Sequence, residues 1–132
     1  MPYSIRYEAG APLATITYTG HLNGGEVAES FDVLGERIAD PPAYLAVLCD
    51  TREATSLFAL SQDVERTARA LKRFEKRAPV GRGAYLGGRN HAVFIGLVRV
   101  LLRLVGTTRR ERAVFTDHGE AIAWLMAPAQ GG

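Results

Sequence analysis

One cysteine, one tryptophan and three histidines occur in 132 residues, and each shortage removes a class of mechanism. A single cysteine cannot form an internal disulfide. Cys49 also lies in an apolar run, Tyr44-Leu-Ala-Val-Leu-Cys49, with no activating neighbour in sequence, so it reads as a reduced, buried thiol. His21, His91 and His118 are scattered and lack the spacing of metal ligands, which leaves no basis for a metal or a cofactor. Neither a cysteine–histidine pair nor a nucleophile elbow is present, so no catalytic residue is expected. The opening Met-Pro-Tyr-Ser-Ile-Arg has no basic-then-apolar leader pattern, which points to the cytoplasm. The longest apolar stretch, Ala92–Val105, is too short to span a bilayer and carries Arg99 and Arg103.

What is present fits one α/β domain. Apolar residues make up 47% and charged residues 23% of the chain, enough for a packed core without disulfides at this length. Tyr3, Ile5 and Tyr7 alternate with polar residues, as do Ala14, Ile16 and Tyr18. Gly10-Ala-Pro12 lies between them, so an N-terminal hairpin is predicted. Asn23-Gly24-Gly25 opens a helix with Val27, Phe31, Leu34 and Ile38 on one stripe, ended by Pro41-Pro42. Tyr44–Cys49 reads as a strand buried on both faces, and Asp50–Ser56 as a polar loop. Ser61 is placed to cap a second helix with Val64, Ala68, Leu71 and Phe74 inward and its basic side chains outward. Gly83–Leu86, a third helix over His91–Val105, a strand over Arg112–Thr116 and a last helix ending near Met126 complete the pattern. The predicted order is ββαβαβαβα over residues 1–126, with a five-stranded, mostly parallel sheet carrying an antiparallel hairpin. Residues 127–132, small and glycine-rich, read as a flexible tail.

The net charge of +2 hides an asymmetry. Residues 1–65 carry three basic and ten acidic side chains, and residues 66–132 carry thirteen basic and four acidic. The basic half invites an anionic partner unless the acidic and basic helices neutralise each other. It lacks the interleaved aromatics of a nucleic-acid module, so no nucleic-acid partner is expected. The third helix is the most informative segment. At about 100° per residue its apolar side chains spread over roughly 220°, where a sheet-packed helix needs about 100°. A neighbouring helix, a second subunit, a lipophilic ligand or a membrane interface must cover the excess. Phe94, Leu97, Val98, Arg99, Leu101, Leu102 and Arg103 are therefore the candidate binding residues, with the arginines suited to anionic lipid heads. Asp50, Arg52 and Arg89 form a second candidate group at strand ends, where open α/β sheets bind ligands. Asp50 and Arg52 could equally pair with each other.

The N-terminal hairpin, the strand ending Leu48-Cys-Asp50, the Asp-Thr-Arg loop, the apolar third helix and the closing Val114-Phe-Thr-Asp117…Glu120-Ala-Ile-Ala-Trp-Leu125 resemble SpoIIAA-like proteins, in the STAS and SEC14-like group. The resemblance implies a non-catalytic module. Relatives are anti-sigma-factor antagonists switched by serine phosphorylation, cytoplasmic domains of anion transporters, or carriers of lipophilic molecules with a movable helix near the membrane. Phosphorylated relatives carry Asp-Ser-Ser/Thr-Gly at the start of the second helix. Here that stretch is Phe58-Ala-Leu-Ser61-Gln62, and the motif is absent. The leading expectation is a lipophilic ligand, or peripheral association with an anionic inner-membrane surface, through the third helix. The alternatives are a regulatory protein–protein interaction module, with a protein partner or a second copy as a homodimer, and a small enzyme using the Asp50–Arg52 loop.

Overall fold

A computed structural model describes the backbone of residues 2–8, 10–58, 61–88, 91–106 and 110–130, and their side chains except at 57, 58, 61, 91–95, 97 and 128–130. The strands are β1 (Tyr3–Tyr7), β2 (Leu13–Asn23), β3 (Ala46–Phe58), β4 (Arg82–Leu86) and β5 (Glu111–Phe115). The helices are α1 (Gly24–Arg37), α2 (Ser61–Arg77), α3 (His91–Val105) and α4 (His118–Gln130). The sheet runs β1-β2-β3-β4-β5, with β1 antiparallel to β2 and every other pair parallel. The predicted class and element order are therefore observed.

Alternation builds the hairpin as read. Tyr3 pairs with Tyr18 and Tyr7 with Ala14, and Gly10 supplies the turn with φ +81°. α1 begins where Asn23 caps it: the Asn23 side chain accepts from the Glu26 N–H at 3.0 Å and donates to the Glu26 carboxylate. Helices cover both faces of the sheet. On one face Phe31 and Leu34 of α1, Ala68, Leu71 and Phe74 of α2, and Val98, Leu101 and Val105 of α3 pack on Ile16, Tyr18, Val47, Cys49 and Tyr85. On the other, Ala121 and Leu125 of α4 pack on Ala46, Leu48, Ala84 and Leu86. β3 alternates between the two cores, which is why its opening residues are continuously apolar.

Two boundaries differ from expectation. The predicted polar loop Asp50–Ser56 is strand: β3 continues to Phe58 beside an equally extended β2, with His21 opposite Ser56 and Asn23 opposite Phe58. Polar residues tolerate a strand whose faces are no longer covered, and register shifts near Thr17 and Gly20 twist this ribbon. α4 also continues through residues 127–130, where a loose tail was expected. Pro128 has no N–H to offer the Trp124 carbonyl, and the Arg82 guanidinium donates to that carbonyl at 2.8 Å instead. Tyr44 donates to the next carbonyl, that of Leu125.

Candidate functional site

α3 leans on α2 and closes one side of the first core. Val98 and Leu101 are buried and Leu102 is half-buried, so these three of the expected binding residues serve the protein's own interior. Arg99 and Arg103 are exposed. Phe94 and Leu97 lie in α3, with side chains outside the described set. The arc that faces solvent holds Gly96, Arg99, Val100, Arg103 and Leu104. Val100 is 49% and Leu104 45% exposed. Spacing of four residues places Arg99 and Arg103 in one row and Val100 and Leu104 in the adjoining one. Among the described side chains, much of the wide apolar face is thus taken by the core, and what remains outward is two aliphatic side chains beside two cations. Sequence reasoning counted Val100 and Leu104 within the apolar arc but did not single them out. Their proximity to the arginine row was the available signal.

The cations of the basic half divide into two sets. Arg73 pairs with Asp32 of α1, Arg77 donates to the Ile38 carbonyl, and Arg112 pairs with buried Glu75. Arg110 donates to the carbonyls of Ala78, Leu45 and Arg82. By contrast Arg69, Lys72 and Lys76 of α2 and Arg99 and Arg103 of α3 are exposed and have no hydrogen-bond or ion-pair partner among the described residues. In the first set Arg73 and Asp32 neutralise each other between helices, Arg112 and Glu75 do so between β5 and α2, and Arg77 and Arg110 are held by backbone carbonyls.

The second candidate group is only partly assembled. Asp50 is buried, and its carboxylate accepts from Arg52 Nε at 3.0 Å, Nη2 at 2.9 Å and the Arg52 backbone N–H at 3.0 Å. Burial pushes the Asp50 pKa up, but the Arg52 hydrogen bonds and charge outweigh it and hold the carboxyl below its usual range. The pair therefore satisfies itself, as one of the sequence alternatives had it. Gly88 passes so close that an added Cβ would lie 3.1 Å from the Arg52 Cα. Arg89 lies outside the described residues, as does the side chain of Ser61.

The interior cavity among the described residues is small. The cavity lined by Phe31, Leu71, Phe74, Tyr85 and Arg110, among others, holds about 10 Å³. That suits one water molecule, whereas ligand pockets run to roughly 300–1,000 Å³. Cys49 borders the same cavity, and burial raises its thiol pKa to about 12, far from a reactive thiolate. No cluster of His, Cys, Asp and Glu able to hold a metal occurs among the described residues, and no described helix is long and apolar enough to cross a membrane.

No family model matches the chain, and no curated protein matches it in sequence. Solved structures do. An uncharacterised protein of the DUF3478 family from Shewanella loihica, described as having a SpoIIAA-like fold, superposes with a TM-score of 0.59 over 93% of this chain and 91% of that one, at 18% identity. The chain has the SpoIIAA-like fold. An anti-sigma factor antagonist from Mycobacterium paratuberculosis superposes with a TM-score of 0.52 over 93% of this chain and 92% of its own, at 13% identity. The fold that the sequence resemblance implied is the fold observed.

Proposed function

We propose that this SpoIIAA-like protein is a non-catalytic regulatory module that works by docking a protein partner on the outward face of α3. The observation that carries this reading is the pairing of exposed Val100 and Leu104 with unpartnered Arg99 and Arg103 on a helix whose other side is locked into the core. Arginine beside exposed aliphatic surface is the composition of a protein interface. The shared fold with an anti-sigma factor antagonist agrees with a regulatory role. The cavity among the described residues is too small to add support for a lipophilic cargo. Membrane association would need the apolar side of α3, and Val98, Leu101 and Val105 already bury theirs.

Photo-crosslinking tests this directly. A photoreactive amino acid in place of Val100 is expected to give a discrete protein adduct in cells, while one in place of Ser4, exposed on β1, gives none. Equal labelling at both positions, or labelling of lipid alone at position 100, would overturn the reading.

A further inference from the structure

The free cations are not confined to α3. α2 and α3 cross over on the same face of a parallel sheet, so they run side by side and their outward surfaces adjoin. On α2 the outward row is Glu65, Arg69, Lys72 and Lys76, spaced four, three and four residues apart. Together with Arg99 and Arg103 this gives five exposed cations without a described partner, one acid, and two aliphatic side chains beside them. Among the described residues these five unpartnered cations share the α2–α3 surface, while Arg66, also exposed, lies on the α1 side beside Gly25.

We propose, building on the docking reading, that the α2–α3 surface receives an acidic amphipathic helix of a partner protein. The shallow trough between two adjacent parallel helices is a natural seat for a third helix. Its carboxylates meet Arg69, Lys72, Lys76, Arg99 and Arg103, and its aliphatic side chains cover Val100 and Leu104. A second copy of this chain is a poor occupant, because three of the four acidic residues of its own helix α1 are engaged, leaving Glu36 exposed without a described partner. Glu26 binds Asn23, Glu29 accepts from Tyr3, and Asp32 pairs with Arg73. A lipid surface is disfavoured because the described outward face holds two aliphatic side chains and no aromatic anchor.

The test is a titration of the full isotope-labelled chain, followed by amide resonances, with a synthetic helical peptide bearing Glu and Leu on one side. A Lys-for-Glu version of the peptide and vesicles containing phosphatidylglycerol serve as competing probes. The acidic peptide is expected to shift signals of α2 and α3 saturably, more weakly as salt is added, and the basic peptide to shift none. Reversing charge with Arg99→Glu and Arg103→Glu is expected to weaken binding about tenfold, the combined effect of two lost pairs and new repulsion. Leu104→Ser is expected to weaken it several-fold without altering the thermal midpoint. Shifts scattered over other elements, equal binding of the basic peptide, or preferential capture by the vesicles would overturn the proposal. Failure of the acidic peptide alongside a discrete adduct at position 100 would reject the acidic partner and leave the docking reading standing. Loss of both results would reject both.

Discussion

Gly81 and Arg110 show how single residues tie the sheet to its lower loops. Arg110 is buried and spends its guanidinium on three backbone carbonyls, those of Ala78, Leu45 and Arg82, while its charge lies 5.6 Å from the Phe74 ring centroid. Burial lowers its pKa from the usual arginine value; the carbonyls offset part of that desolvation. The Leu45 carbonyl must also be approached by the chain at residue 81, where an added Cβ would stand 1.8 Å from it. Glycine alone fits there, and at φ +155° it is also relaxed. Gly81→Ala is expected to cost about 3 kcal/mol, through overpacking and backbone shift. Urea denaturation of the purified variant measures this, and an unchanged midpoint would contradict the close approach. Neither residue was legible as special in the sequence, because both depend on carbonyls brought from distant segments.

Elements divide by how local their causes are. α1 and α2 were readable from their stripes and caps, since i, i+4 and i+7 neighbours are set by the helix itself. β3 beyond Cys49 was not, because its polar residues gain strand geometry only from β2, whose Thr17 lies opposite Asp50 and whose Asn23 lies opposite Phe58. α3 is the mixed case. Its extent was legible, but not which part of its wide apolar arc faces inward. The structure separates the two halves, which gives a paired expectation. Leu101→Ala is expected to destabilise the fold by about 2–4 kcal/mol, as deletion of a buried leucine does, whereas Leu104→Ala stays within about 0.5 kcal/mol. Thermal unfolding of both variants checks this; equal costs would mean that Leu104 is core rather than docking surface.

At the scale of the whole molecule, buried thiol and phenol groups make stability depend on alkaline pH: Cys49 and Tyr3, with Tyr18, Tyr44 and Tyr85 raised by burial in the same direction. Burial raises the Cys49 thiol from 9.0 to about 12. Burial, then the hydrogen bond to Glu29, raises the Tyr3 hydroxyl from 10.0 to about 12. In each case the native state holds its proton after the unfolded chain has released it, so stability falls as pH rises. The contribution is complete below about pH 9, where both groups are protonated in either state, and is lost progressively toward pH 12. Urea midpoints measured across that window are expected to decline. Cys49→Val is expected to flatten the onset of the decline near pH 9, where the thiol of the unfolded chain titrates ahead of the tyrosine hydroxyls. A decline of the same slope in the variant would remove Cys49 as its cause.

By itself the sequence determined the fold class, the element order, the N-terminal hairpin, the self-paired option for Asp50 and Arg52, and the concentration of positive charge after residue 65. These follow from periodicity, turn chemistry and composition, all carried by neighbours along the chain. Only the tertiary structure decided that α4 takes the opposite face of the sheet, that Val98 and Leu101 belong to the core, and which cations stay free. Those outcomes depend on partners brought together across the fold, as Asp32 is to Arg73 and Glu75 to Arg112. A charge pattern read along the chain counts cations, but the fold sorts those used inside it from those left exposed.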